Sequence, residues 1–173
     1  MTPPGTAFIT GITGQDGSFL AEQLVDAGWR VFGLVRRSAS GNLWRLEHLS
    51  DRITLVDGDL LDFGSLVQAI DTAQPDHVYN LAAQSFVATS WKQPLLTGEV
   101  TALGAARLFE AVRIAKPDAR VYQAGSSEMF GTSGGARQRE DTPFHPRSPY
   151  GVAKAYAHHL AVNYRESHGM HVV

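Results

Sequence analysis

The sequence predicts an α/β fold, a doubly wound parallel sheet with helices on both faces, on three observations. Short apolar runs alternate with helical patterns along the chain, a glycine-rich turn follows the first run, and no fixed internal period or Pro/Ser tract divides it. A length of 173 residues suits one domain, enough to bury about two thirds of the surface its unfolded form exposes.

The elements follow in order. Residues 7–10 are an apolar run ending at glycines, and residues 18–27 repeat Leu20 with Leu24 and Ala21 with Val25 at helical spacing. Residues 30–35 read as a second strand, 42–49 as a short helix, and 53–56 as a third strand. A helix over 65–72 turns Leu66, Val67 and Ile70 inward, and 77–81 is a fourth strand. Residues 99–116 carry Val100, Leu103, Leu108 and Val112 on a long helix, and 120–124 form a fifth strand. Residues 131–149 are rich in Gly, Pro and polar types and read as an active-site loop. Ser148 then suits an N-cap with Pro149 in the first turn of a helix from 150 to about 167, and residues 170–173 begin another apolar run.

Composition narrows the function. The formal net charge of -2 provides no basic field to gather nucleic acid, and 43% hydrophobic residues is a globular composition, so small molecules or protein are the expected partners. With no cysteine, disulfides and thiolate metal sites are excluded and a reducing compartment is compatible. Residues 1–5 lack the features of a signal peptide, and no apolar run approaches about 18 residues, so the reading is a soluble cytoplasmic protein without a membrane partner.

The turn Gly11-Ile12-Thr13-Gly14-Gln15-Asp16-Gly17 lies between the first strand and the first helix. Glycines there permit close approach of backbone to a diphosphate, and the helix start offers free N–H groups to the anion, as in Rossmann-like folds. The spacing is G-x-x-G-x-x-G rather than G-x-G-x-x-G, and the same glycines also fit an ordinary turn; the strand before and helix after favour the dinucleotide reading. After the second strand, where an NAD site carries an acidic residue, this chain has Arg36-Arg37. Guanidinium groups pair with phosphate, so NADP is preferred, although a solvated basic pair is common on any surface. Asp59-Leu60 and Leu81-Ala82-Ala83-Gln84-Ser85 fall at carboxyl ends of strands, where open α/β sheets bind ligands; Asp59 suits equally a cap for the next helix.

Tyr150 and Lys154 are spaced i, i+4 and stack on one helix face, where the ammonium eases loss of the phenol proton. Glu128 and the hydroxyls of Ser126 and Ser127 precede them. An exposed helix pair and a loop carboxylate paired with Arg147 are the plain alternatives. His158 and His159 are adjacent and do not face a common metal, so they read as helix surface or subunit contact, and Trp44 and Trp91 as core or interface.

The turn 11–17, Asp59-Leu60, Asn80-Leu81-Ala82-Ala83-Gln84-Ser85 and Tyr150 with Lys154 together resemble the extended short-chain dehydrogenase/reductases. Within them, Gly125-Ser126-Ser127-Glu128-Met129-Phe130-Gly131, residues 143–150 and Asn163-Tyr164-Arg165-Glu166 resemble the GDP-mannose 4,6-dehydratases, over about the first half of such an enzyme. The resemblance implies that residues 1–173 are the NADP-binding Rossmann domain, that the C-terminal substrate domain is absent, and that the substrate is the nucleotide sugar GDP-mannose. It implies Tyr150 as the base for the sugar 4-hydroxyl, with Lys154 beside it, Glu128 as the group that moves the C5 proton to the departing 6-hydroxyl, and Ser126 as the hydroxyl that holds the sugar oxygens. It also implies Tyr150 and Lys154 at the cofactor, no metal, and a homo-oligomer, dimer or tetramer, to which residues 38–52 reach across. Other nucleotide-sugar epimerases or reductases, and a non-catalytic NADP-binding fragment, are the alternatives.

Overall fold

A computed structural model describes residues 4–36, 43–132 and 137–173. Its centre is β1 (Thr6–Thr10), whose five residues are all buried, as an apolar run between two neighbours requires. β2 (Arg30–Val35) and β3 (Ile53–Asp57) extend the sheet on one side, β4 (His77–Asn80) and β5 (Arg120–Gln123) on the other, giving the parallel order β3-β2-β1-β4-β5. The final residues lie along the outer edge of β5. Val121 pairs in parallel with Val172, and Val173 N–H donates to Val121 O at 2.9 Å.

Between the strands run α1 (Gln15–Asp26), a 3-10 turn at Trp44–Leu49, and α2 (Phe63–Ala73). After β4 come α3 (Val87–Lys92) and α4 (Pro94–Thr97), which continues through a π-helical stretch (Gly98–Leu103) into α5 (Gly104–Ala115). A 3-10 turn (Ser127–Met129) follows β5, and α6 (Pro149–His168) closes the order. Ser148 Oγ accepts from Gly151 N–H at 3.0 Å, so the cap foreseen for α6 is formed, and Gly169 ends the helix in the left-handed region.

The helices cover the two faces unequally. Register partners share a face, so Phe8, Phe32 and Val78 look one way, onto a core with Leu66 and Ile70 of α2, Leu108 and Phe109 of α5, and Ala157 of α6. Ile9 and Val31 look the other way, onto Ala21 and Val25 of α1 and Leu46 and Leu49 of the 3-10 turn. Right-handed crossovers explain the difference: connections stepping from β1 outward to β3 fall on one face, and those returning through β4 to β5 fall on the opposite face. Over β4 and β5 the first face is thus left to aromatic side chains, with ring centroids 6.2 Å apart between His77 and Tyr79 and 6.3 Å between Tyr79 and Tyr122. Helices on both faces were expected, but the layer on the α1 side is only half built among the described residues. No helix among the described residues is long and apolar enough to cross a membrane.

Candidate active site

The reversal of strand order lies between β1 and β4, and there the carboxyl ends of the strands open a cleft of about 590 Å³. Its walls are the segments after four strands: Gly11, Thr13 and Gly14; Arg36; Asp59 and Leu60; and Leu81 to Ser85. Leu96 and Val100, which no motif singled out, add apolar wall from the α4 and π-helical stretch.

The turn between β1 and α1 is as tight as its glycines suggest. Gly11 has φ +71°, and a Cβ there would lie 2.8 Å from the Ala82 backbone nitrogen, while a Cβ on Gly17 would meet the Gly11 carbonyl. Strand, turn and helix therefore approach as closely as a bare backbone permits. Gly14 N-caps α1 with no side-chain hydrogen bond, so the first turn keeps its N–H groups for an anion. Ile12 has a different task. It is fully buried and packs on Gly33 of β2, holding the turn down from beneath. Gln15 and Asp16 open the first turn of α1, and Gly17 is buried in it against the Gly11 carbonyl.

Arg36 is exposed at the rim, and Arg37 lies outside the described residues. The α2 cap is made by Asp62, whose carboxylate accepts from Ser65 N–H at 3.3 Å. Asp59 instead accepts from Leu61 N–H at 2.9 Å, a local turn that leaves it on the cleft wall.

The second cluster sits where β5 meets α6. Ser126 Oγ accepts from Glu128 N–H at 3.2 Å and so caps the 3-10 turn that carries Glu128, with the hydroxyl proton free to be donated elsewhere. A Cβ on Gly151 would lie 2.5 Å from the Glu128 carbonyl oxygen, so the glutamate backbone rests directly on the first turn of α6 beside Tyr150. Tyr150 and Lys154 are both buried. The Lys154 ammonium lies 5.9 Å from the centroid of the Tyr150 ring and donates to Ala124 O at 2.8 Å. Burial lowers its pKa from 10.5 to about 8, which leaves it mostly cationic near neutral pH. No ion pair joins Glu128 to Arg147 among the described residues. The arrangement places a phenol, a cation and a carboxylate on adjoining elements, a set able to move protons on a bound polyol.

The remaining sequence candidates are peripheral. His158 and His159 are exposed on α6, their rings 4.8 and 5.7 Å from that of Phe144, which folds the loop before α6 back onto the helix. No three metal-binding side chains converge among the described residues. Trp44 and Trp91 are not core: they are 60% and 64% exposed, and Arg45 lies 4.1 Å over the Trp44 ring.

Comparison with known proteins adds the lineage. The family model described as GDP-mannose 4,6 dehydratase matches residues 8–173. A GDP-mannose 4,6-dehydratase of Yersinia enterocolitica is 49% identical over 95% of this chain and 47% of its own length. GDP-mannose 4,6 dehydratase 1 of Arabidopsis thaliana is 49% identical over 98% of this chain and 50% of its own. Among solved structures, a dTDP-glucose 4,6-dehydratase from Streptomyces venezuelae with NAD bound superposes with TM-score 0.87 at 26% identity, covering 96% of this chain and 53% of that one. A Thermus thermophilus UDP-glucose 4-epimerase in complex with NAD gives TM-score 0.86 at 28% identity, covering 96% and 53%. The chain thus spans about half the length of the relatives it matches.

Proposed function

The chain belongs to the GDP-mannose 4,6-dehydratase family, and from that premise we propose that it is the dinucleotide-binding and proton-handling part of an NADP-dependent GDP-mannose 4,6-dehydratase. The product is GDP-4-dehydro-6-deoxy-mannose, for deoxysugar synthesis. The observation that carries this reading is the seating of the Glu128 backbone on Gly151, which sets a carboxylate-bearing residue against the element that holds Tyr150 and Lys154. A 4-epimerisation needs the phenol and the cation; elimination of water needs a further acid/base, and Glu128 is that group.

The cleft suits a nicotinamide dinucleotide. The uncapped first turn of α1 and the bare backbone at Gly11 and Gly14 would take the diphosphate, and Arg36, with Arg37, the 2′-phosphate. Held there, a nicotinamide would supply the hydride chemistry, oxidation at sugar C4 matched by reduction at C6, with no net oxidation. Tyr150 takes the proton of the 4-hydroxyl, and the Lys154 cation stabilises the phenolate that receives it. The ketone formed at C4 acidifies the proton on C5. Glu128 takes that proton and delivers it to the departing 6-hydroxyl, which leaves as water; as C6 is reduced, C5 regains a proton, matched by the one Tyr150 took from the 4-hydroxyl, and Ser126 donates its hydroxyl hydrogen to a sugar oxygen. The family resemblance adds a homo-oligomer.

Incubation with NADP and GDP-mannose, followed by detection of the 4-keto product, tests the reading. Dinucleotide binding is measured in parallel. Binding without turnover supports a second reading that rests on the cleft alone, a non-catalytic NADP-binding chain. Absence of both sinks both.

A further inference from the structure

Three buried polar side chains that the reaction above does not use end three adjacent strands. Thr10, Asn80 and Gln123 are register partners across β1, β4 and β5, with relative exposures of 0%, 1% and 9%. The Thr10 hydroxyl donates to Asn80 Oδ1 at 2.6 Å, Asn80 Nδ2 donates to Gln123 Oε1 at 2.7 Å, and Gln123 Nε2 donates to Ala124 O at 3.1 Å. The row continues at both ends. Ala82 N–H, in the cleft wall, donates to Thr10 Oγ1 at 3.1 Å, and Lys154 Nζ donates to the same Ala124 carbonyl at 2.8 Å.

The end groups dictate one orientation for every member. A carbonyl only accepts, so Gln123 turns its NH2 to Ala124 and its oxygen to Asn80; Asn80 in turn offers its oxygen to Thr10. Thr10 therefore donates onward and accepts from the Ala82 N–H, which can only donate. Flipping either amide would set oxygen against oxygen at one contact and leave unpaired donors at another. Aligned dipoles in a dry interior reinforce one another, whereas apolar residues of similar volume would fill the space without desolvating any polar group. Packing alone gives no reason for the row.

We propose that Thr10, Asn80 and Gln123 are positioning residues that lock the Ala124 carbonyl, and through it the Lys154 ammonium, to the segment after β4 that walls the cleft. The proposal rests on the reading of that cleft as the dinucleotide site and of Lys154 as the cation beside Tyr150. Disturbing the row at Thr10 is then felt at Lys154, two side chains away.

Thr10→Val and Thr10→Ser separate this from packing, because valine keeps the shape without the hydroxyl and serine keeps the hydroxyl without the methyl. The readouts on the 173-residue chain are the NMR signal of the Lys154 side chain through a pH titration and the dissociation constant for NADP. Thr10→Val is expected to shift the Lys154 titration and raise the NADP dissociation constant about tenfold, with Thr10→Ser close to wild type in both. A Lys154 titration that valine leaves unchanged, or that both variants alter equally, overturns the proposal. Gln123→Glu keeps the side-chain length but turns an acceptor toward Ala124, and is expected to move the lysine titration upward as the ammonium pairs with the new carboxylate. An unmoved titration there overturns the proposal even if the Thr10 variants do not fold. The lysine is read without ligand, so failure of the wild type to bind NADP counts against the cleft reading while the row is still decided.

Discussion

Lys154 donates its hydrogen bond to the carbonyl of Ala124 at 2.8 Å, tying α6 to the end of β5 through a cation buried to 3% exposure. A backbone carbonyl offsets only part of the desolvation of an ammonium, so the position is energetically costly and chemically poised.

The first prediction concerns stability against pH. Burial depresses the folded-state pKa of Lys154 to about 8 from 10.5. Between those values the unfolded chain holds the proton that the folded chain has released, so this lysine's contribution to stability rises with pH. The cost of burying the cation, about 3 kcal/mol, is present in full below the folded pKa and vanishes above the unfolded one. Denaturant unfolding of wild type and Lys154→Met at several pH values isolates it, since other groups cancel in the difference. A difference that does not change from neutral to strongly alkaline pH contradicts the burial.

On the proposed mechanism, Glu128→Gln removes the acid/base and keeps the shape. In an active form of the enzyme, formation of the 6-deoxy product is expected to fall by about 10²- to 10⁴-fold while NADP affinity is unchanged. Product analysis together with a binding titration checks both, and undiminished dehydration would place the acid/base elsewhere.

Gly151→Ala tests the seat of Glu128. Alanine normally favours a helix over glycine by about 1 kcal/mol, but here its methyl would sit 2.5 Å from the Glu128 carbonyl oxygen and 3.1 Å from Pro146 Cβ. A net loss of about 1–3 kcal/mol is expected, with a lowered unfolding midpoint. A raised midpoint would mean the approach is looser than described.

Arg36→Ala probes cofactor choice. Loss of one charge-assisted contact is worth about 1.5–3 kcal/mol, so NADP is expected to bind about 10- to 100-fold more weakly while NAD binding changes little. Titrating both dinucleotides against the variant decides it; parallel losses would place Arg36 in general structure rather than at a 2′-phosphate.

Much of the fold was legible because local signals agree with the final packing. The Ser148-Pro149 pair marked the N-cap of α6, which begins at Pro149, one residue before the expected start, and β2 ends where its apolar run does. α3 escaped notice because its six residues are too few for a helical period, and its exposed Trp91 does not trace an inward face. Asp59 and Asp62 are both plausible caps by type; which one reaches Ser65 N–H depends on the course of the loop after β3.

The sequence by itself determined the alternation of strands and helices, the glycine turn, and the identity of Glu128, Tyr150 and Lys154, because propensity, period and residue chemistry are local properties. Only the tertiary structure decided that Ile12 lies under the turn rather than in the cleft, that one sheet face is half covered among the described residues, and that Thr10, Asn80 and Gln123 join into a row. Those three stand 70 and 43 residues apart along the chain. Strand order and register bring them side by side, and neither is written in any single segment.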